Sequence, residues 1–134
     1  MNYRIVEGNK NIKAEDVARL LKTTYWANTR SIEKIKKSMD NSDCFGVYLE
    51  GTDNLVGFAR VITDHATTYY LCDVIIDEEY RHNGLGKALV SYIVSLPEYA
   101  SLRGLLLTMD AHGLYEKYGY EVISNRAMMK APVV

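Results

Sequence analysis

A glycine-containing turn between a predicted strand and a predicted helix has the residue types that bind a phosphate. Gly84 and Gly86 follow an apolar run, and the chain then opens directly into an amphipathic segment. The first turn of a helix carries unpaired N–H groups and a partial positive charge, and glycines let a ligand approach the backbone closely. Arg81, His82 and Lys87 add donors and positive charge at the same place. The segment therefore predicts an anion-binding turn.

Two nucleotide-binding motifs contain similar glycines, but neither fits this spacing. A dinucleotide-binding fingerprint needs a third glycine where this chain has Leu89, and a P-loop needs four residues between its glycines and then Lys-Ser/Thr. Here one residue separates the glycines, and Ala88 follows Lys87. For the Gly-x-Gly pattern alone, a tight structural turn without a ligand stays open as the alternative.

Two longer phrases of the sequence resemble the GNAT superfamily of N-acetyltransferases. The first is Arg81-His82-Asn83-Gly84-Leu85-Gly86, which is similar to that family's Arg/Gln-x-x-Gly-x-Gly/Ala pyrophosphate loop. The second is Leu114-Tyr115-Glu116-Lys117-Tyr118-Gly119-Tyr120, which resembles its Leu-Tyr-x-x-x-Gly-Phe/Tyr segment. The phrases occur in the family's order, and with the preceding strands the resemblance covers essentially the whole chain.

The resemblance implies acetyl-CoA as the acetyl donor and no metal. Backbone groups of the strand before the loop would pair with the pantetheine arm, at Val74, Ile75 and Ile76, although an ordinary apolar strand has the same composition. The loop and the helix start would hold the pyrophosphate, at Arg81, His82, Asn83, Gly84, Leu85, Gly86 and Lys87.

Direct acetyl transfer needs a proton for the departing CoA sulfur and a neutral amine. Tyr115 matches the family's acid position, and a tyrosine hydroxyl is protonated at neutral pH. Asp73 lies in an apolar strand, where a carboxylate is unfavourable unless it is used or paired. We predict Asp73 as a catalytic or amine-binding group; a structural role remains open, as do Glu79, His65 and His112 as the base.

The sequence departs from the family at one contact. Many members have Asn about seven residues before the helix tyrosine, whereas this chain has Thr108, so no such CoA contact is carried over. Asp110 is predicted to cap the helix that carries Tyr115.

The resemblance places the acceptor pocket at the loop between the first two helices, at Tyr25 and Trp26 with Arg30 nearby. These aromatic residues would contact the substrate or simply pin the loop to the sheet.

The surrounding pattern predicts an α/β fold of the α+β type: one domain over residues 1–134, with a mixed, mostly antiparallel sheet flanked by helices on both faces. We expect helices from residue 11 or 13 to 24, over 31–39 and 85–96, the latter stopped by Pro97, and from Asp110 to Gly119. Strands are expected over 3–6, 43–50, 55–63, 68–76, 104–109, 121–123 and 126–130, with a hairpin turn at 51–54 and a C-terminal parallel pair.

Composition excludes several classes of protein. The 134 residues carry 16 Lys+Arg and 17 Asp+Glu, a net charge of -1, so neither a strongly basic nucleic-acid binder nor an acidic tail is expected. The start of the sequence has no signal-peptide pattern, and no apolar run approaches the roughly 18 residues of a membrane helix. Cys44 and Cys72 have no CxxC spacing and fit a reducing cytoplasm, and the three histidines have no metal-ligand spacing. Tyrosine is abundant, at 11 residues.

These observations predict an N-acetyltransferase that moves the acetyl group of acetyl-CoA to a primary amine of a small molecule in a ternary complex. Three alternatives remain: a CoA-binding sensor without turnover, a protein N-terminal or lysine acetyltransferase, and an interaction domain whose glycine turn binds no CoA. We expect a cytoplasmic enzyme with no nucleic-acid or membrane partner, and a homodimer is compatible with the sequence.

Overall fold

Five strands form one mixed sheet in the computed structural model, which describes residues 2–133. The strands are β1 (Tyr3–Glu7), β2 (Asp43–Leu49), β3 (Leu55–Thr63), β4 (Thr68–Ile76) and β5 (Arg103–Leu106), and they lie side by side in chain order. Each pair of neighbouring strands from β1 to β4 is antiparallel, whereas β4 and β5 are parallel. This confirms the expected mixed, mostly antiparallel sheet with its parallel pair in the C-terminal half.

Helices cover both faces of the sheet. They are α1 (Ala14–Leu21), α2 (Ile32–Asp40), α3 (Leu85–Val94), α4 (Pro97–Ala100) and α5 (His112–Glu116). Side chains alternate along β3, so Phe58 packs against the α1 and α2 residues while Ala59 and Val61 pack against α3 and α4 residues. Because both faces are covered, β3 is buried from Leu55 to Val61.

Several helix boundaries differ from the sequence-based prediction. The first helix is shorter, and a 3-10 turn at Asn9–Asn11 precedes it. Helix α3 ends at Val94, and Pro97 begins the short α4, where its missing N–H and fixed φ are tolerated. No helix within residues 2–133 is long and apolar enough to span a bilayer.

The two predicted C-terminal strands, 121–123 and 126–130, are wrong. Residues 121–133, called here the C-terminal arm, form no strand, and every one of them is exposed. A turn at residues 124–126 interrupts the arm, with Asn125 at a φ of 63°. Short apolar runs form a strand only if a neighbouring strand supplies hydrogen bonds, and this chain gives the arm none within residues 2–133.

Candidate active site

The loop between β4 and α3 presents a row of free backbone donors. Within residues 2–133, the N–H groups of residues 82–87 donate to no protein acceptor; the first donor bonded back to the loop is Ala88 N, 3.0 Å from Gly84 O. His82 and Gly84 have φ values of 67° and 76°, so the backbone twice enters the left-handed region. Successive N–H groups in such a turn form an anion-binding concavity, here at the start of a helix.

Two of the predicted phosphate-binding side chains also shape this loop. The Asn83 amide donates to the carbonyls of Tyr80 (3.1 Å) and Arg81 (3.2 Å). Arg81 Nε donates to Ile76 O at 3.2 Å, which ties the loop to the end of β4. A methyl group added at Gly84 would meet nothing within 4 Å, so the space beside this glycine is open.

The end of β4 that leads into this loop has an unpaired edge. Strand β5 pairs with residues 68–71 of β4 and then diverges, whereas β4 continues to Ile76. On the β3 side, Ile75 and Ile76 remain paired, with Phe58 and Gly57. The β5-facing backbone at residues 74–76 is therefore open to an extended ligand with amide groups, and it leads directly to the row of free donors.

A bulge in β4 sets the direction of Asp73. Phe58 pairs with Ile75 and Arg60 with Cys72, so two residues of β4 lie opposite one residue of β3. Asp73 occupies the bulge with a φ of 54°, a conformation that short polar residues tolerate best. The bulge turns its carboxylate toward the loop between α1 and α2.

Both oxygens of the Asp73 carboxylate are fully engaged. Asp73 is 5% exposed; its Oδ2 accepts from Arg30 Nη1 at 2.7 Å and Arg60 Nε at 3.0 Å, and its Oδ1 accepts from Trp26 Nε1 at 3.1 Å. Burial alone would raise the pKa of this carboxyl, but the hydrogen bonds and charges of the two guanidinium groups outweigh it and hold the pKa below its usual range. We call these four residues the Asp73 cluster.

Arg60 is a site residue that the sequence analysis missed. Like Asp73, Arg60 is a charged residue in the middle of an otherwise apolar strand, and such a residue needs a partner of opposite charge. Arg60 is buried, and its Nη1 also donates to Ser42 Oγ at 3.0 Å. Two unexplained charges of opposite sign in consecutive strands predict an ion pair, although not its geometry.

Of the two predicted acceptor residues, Trp26 belongs to this cluster and Tyr25 precedes it in the chain. Tyr25 and Trp26 are exposed, and their rings meet edge to face with centroids 5.0 Å apart. Trp26 keeps 42% of its surface exposed while its indole N–H is fixed on Asp73. The aromatic loop is therefore docked onto the bulge of β4 and still presents ring surface to solvent.

Tyr115 lies on α5 with an available hydroxyl. It is 8% exposed and belongs to the apolar cluster that contains Leu85 and is extended by Val74 and Ile76. Its hydroxyl makes no hydrogen bond within residues 2–133. Every fully buried side-chain oxygen in these residues has a hydrogen-bond partner, so the Tyr115 oxygen must be accessible to solvent. Burial, followed by the nearby Asp110 carboxylate, raises the pKa of Tyr115, which keeps it protonated at neutral pH.

The start of α5 differs from the prediction. Thr108 Oγ1 accepts the N–H of Ala111 at 3.0 Å, so Thr108 closes this turn. The predicted cap by Asp110 is wrong, since the helix begins at His112 after Ala111 and has no side-chain bond from Asp110. The Thr108 hydroxyl therefore makes the local bond to the backbone at the position where a bond from Asp110 was expected.

The three alternative bases, His65, Glu79 and His112, lie in different parts of the fold. His65 sits in the β3–β4 turn, at the opposite end of β4 from the free donors, with Nε2 3.5 Å from Asp43 Oδ2. Glu98 brings a further carboxylate to this surface pair, with the three ligand atoms within 4.8 Å of one another. Glu79 and His112 are exposed, Glu79 on a 3-10 turn before the loop and His112 one turn ahead of Tyr115.

Both cysteines are free thiols in the sheet. Burial raises the pKa of Cys72 to about 11 and that of Cys44 to about 12. Each thiol is therefore protonated at neutral pH, which makes it a poor nucleophile.

Comparison with known proteins agrees with this geometry. The family model for the acetyltransferase (GNAT) domain matches residues 40–122. A solved protein of the GNAT family from Xanthomonas campestris pv. campestris has a TM-score of 0.89 and 34% identity, over 99% of this chain and 94% of that one.

Two relatives are similar in sequence. GCN5-related N-acetyltransferase 2, chloroplastic, from Arabidopsis thaliana is 32% identical over 108 residues, 78% of this chain and 42% of that protein. The uncharacterized N-acetyltransferase ycf52 of Pyropia yezoensis is 27% identical over 120 residues, 86% of this chain and 68% of that protein. The chain thus spans less than half of the Arabidopsis relative. The family match and the Xanthomonas structure together identify this chain as a member of the GNAT family of acetyltransferases.

Proposed function

We propose that this chain is an N-acetyltransferase that moves the acetyl group of acetyl-CoA directly to a primary amine of a small molecule, and that residues 1–134 act as one domain. The observation that carries the proposal is the continuity of the open β4 edge with the free donors of residues 82–87. An extended amide-containing arm that ends in a pyrophosphate matches both surfaces. The nearby Tyr115 hydroxyl supplies the group that such a ligand's thioester needs.

The residues present fit acetyl-CoA, the cosubstrate of this family. Backbone groups of Val74, Ile75 and Ile76 would pair with the pantetheine amides. The N–H groups of residues 82–87 would hold the pyrophosphate, and Lys87, with the part of Arg81 not bonded to Ile76, would add positive charge. Gly84 leaves the space that the phosphates need.

For this reaction the chain has to position the two substrates and donate one proton. Bound acetyl-CoA supplies a thioester whose carbonyl carbon bonds to the amine nitrogen as the carbon–sulfur bond breaks. Tyr115 donates a hydrogen bond to the sulfur, and its proton follows as negative charge develops there. The amine releases one proton to solvent, and Tyr115 regains a proton from solvent, so the enzyme returns to its starting state.

The contacts of Asp73 support a positioning role more than the role of base. A carboxylate with a lowered pKa and three strong donors accepts a proton poorly. Its bonds instead fix Trp26 and Arg30 against β4, and so hold the aromatic loop where the acceptor amine would approach. Among the alternatives, His112 lies one helical turn from Tyr115, and His65 is at the far end of β4.

The protonated thiols support direct transfer without a covalent enzyme intermediate. An acyl-cysteine would need a thiolate, and the raised pKa values of Cys44 and Cys72 oppose its formation. Free thiols also accord with the proposed cytoplasmic location. The near-zero net charge favours neither a nucleic acid nor a membrane as partner.

The test measures thiol release from acetyl-CoA over a panel of small amines, with wild type, Tyr115→Phe and Tyr118→Phe. We expect Tyr115→Phe to lower kcat about 100-fold with an unchanged KM for acetyl-CoA, because it removes the proton donor and keeps the ring. Tyr118, whose hydroxyl bonds to Lys87 O at 3.2 Å, serves as the neighbouring control and should change kcat less than about threefold.

Two results would contradict the proposal. Wild-type kcat in Tyr115→Phe would remove this residue from the reaction. Acetyl-CoA binding without thiol release for any small amine would favour the sensor without turnover, or a protein substrate, which peptides with free N-termini or lysines would then identify.

A further inference from the structure

The two arginines of the Asp73 cluster keep hydrogen-bond donors that the protein does not use. Arg30 Nη1 and Arg60 Nε both donate to Asp73 Oδ2. Arg60 Nη1 donates to Ser42 Oγ. The other guanidinium nitrogens, Nε and Nη2 of Arg30 and Nη2 of Arg60, donate to no acceptor within residues 2–133. Every fully buried side-chain nitrogen in these residues has a partner, so these three nitrogens must be accessible to solvent.

The cluster also has an excess of one positive charge. In the described part of the chain, Asp73 is the only carboxylate within ion-pair distance of Arg30 or Arg60. The side chain of Arg30 is 25% exposed and that of Arg60 is 11% exposed, so water screens the excess charge only in part. A guanidinium group is weakly hydrated and pairs with a carboxylate through two parallel N–H bonds. The excess charge therefore favours a ligand group with one negative charge.

The two guanidinium groups lie at an accessible face of the sheet. Arg60 pairs with Cys72 and Ile62 pairs with Tyr70, so these four side chains are on the same face. Ile62 is exposed, and Cys72 and Tyr70 are only partly buried. Burial raises the pKa of Cys72, and the charges of Arg60 and Arg30 oppose that rise, so both charges are close to this thiol. The positive charge thus lies beside a surface that a ligand can reach.

This surface adjoins the proposed site of acetyl transfer. Asp73, which both arginines bind, directly precedes residues 74–76, the backbone proposed to pair with the pantetheine arm. Trp26 donates to the same carboxylate and keeps 42% of its surface exposed. A small molecule beside Trp26 can therefore place one group on the guanidinium donors and another near the end of the cosubstrate.

We propose, as an extension that rests on the proposed function, that the acceptor is a small amine that also carries a carboxylate, and that Arg30 and Arg60 bind this carboxylate. Arg30 is the main contact, because its free Nε and Nη2 lie on one edge of the guanidinium plane, where two N–H groups match two carboxylate oxygens. A phosphate would bring nearly two negative charges against an excess of one. A neutral amide would leave the excess charge uncompensated.

Trp26 supplies a direct measurement of binding, because it is the only tryptophan and its indole N–H lies 3.1 Å from Asp73 Oδ1. Its fluorescence is followed with and without CoA, at constant ionic strength, during titration with glycine, β-alanine and 4-aminobutanoate. The matched carboxamides and aminoalkylphosphonates are titrated in the same way. We expect the best carboxylate to bind about tenfold more tightly than its carboxamide, and more tightly than its phosphonate. Equal binding of carboxylate and carboxamide, or tighter binding of the phosphonate, would overturn the proposal.

Substitution of Arg30 separates direct contact from a structural role. Arg30→Gln should reduce the tenfold preference for carboxylate over carboxamide to less than about twofold, because the fork of donors is lost. A merely structural role would weaken both ligands equally and keep the preference. Arg4→Gln is the matched control, since Arg4 donates to backbone carbonyls at the β1 edge, and it should keep the full preference.

Two further measurements keep the outcome decisive. If urea titration shows that Arg30→Gln does not fold, Arg30→Lys takes its place, because lysine retains the charge beside Asp73 but lacks the planar fork. It should lose at least half of the preference, and a full preference in Arg30→Lys would contradict the assigned contact. Binding needs no turnover, so a carboxylate preference without thiol release would refute the proposed function alone. Thiol release with equal kcat/KM for carboxylate and carboxamide, in wild type and Arg30→Gln alike, would refute the carboxylate site alone.

Discussion

The loop at residues 82–87 and the Asp73 cluster flank the same end of β4, and they treat their hydrogen-bond donors in opposite ways. Among residues 2–133, the loop's backbone N–H groups have no protein acceptor, whereas each donor directed at Asp73 is paired with a carboxylate oxygen. Residues 82–84 and Lys87 are exposed, although Leu85 is buried, whereas the Asp73 carboxylate is buried. Hydrogen-bond donors without a protein acceptor are available to bind a ligand, whereas donors that are already paired stabilise the folded structure. Changes in the two regions should therefore affect different measurements.

The largest effect is expected from removing the buried carboxylate. Asp73→Ala leaves the Arg30 and Arg60 guanidinium groups partly or largely buried without their partner, which should lower the free energy of unfolding by about 3 kcal/mol in urea titrations. Glu15→Ala is the control, because Glu15 and Lys36 form an exposed pair 3.9 Å apart whose loss should cost less than about 1 kcal/mol. Equal stability of Asp73→Ala and wild type would show that the cluster does not hold the loop.

Substitution in the loop is expected to lower stability less and acetyl-CoA binding more. Gly84→Ala and Gly51→Ala place a side chain at the same φ of 76°, with nothing within 4 Å of the new methyl group. Each should lose about 1 kcal/mol of stability through backbone strain. Gly84→Ala alone should weaken acetyl-CoA binding, about tenfold by calorimetry, because its methyl group occupies the space before the free donors. The comparison breaks down if both variants bind acetyl-CoA equally well.

The smallest effect is a pH dependence of the stability difference between wild type and Asp73→Asn. The folded-state pKa of Asp73 lies below its value in the unfolded chain, so the contribution of its charge is fully present above the unfolded pKa of about 3.9. It is lost as the pH falls through the lower, folded value. Urea titrations should give a constant difference from pH 7 to about pH 5 and a shrinking difference at more acidic pH. A difference that grows in acid would contradict the lowered pKa.

Sequence patterns located the central strands well because their signals are local. Strands β3 and β4 begin and end at the predicted residues, since turn-forming residues stand on both sides of each run. The free donors of the loop were also foreseeable, because glycines before an amphipathic helix specify that backbone. The pairing of Arg60 with Asp73 was not, since it depends on the register between β3 and β4 and on the bulge. The strands predicted in the C-terminal arm are wrong for a related reason: short apolar runs form a strand only when a neighbouring strand pairs with them.

The divergence of β4 from β5 leaves a gap in the sheet that a bound cosubstrate would fill. Beyond residue 71, the described part of the chain gives β4 a neighbouring strand on one side only, and amides at such an edge exchange their hydrogens rapidly with water. A ligand that pairs along residues 74–76 would serve as the missing strand and slow that exchange. Its affinity would then determine, at each ligand concentration, how much the free energy of unfolding increases.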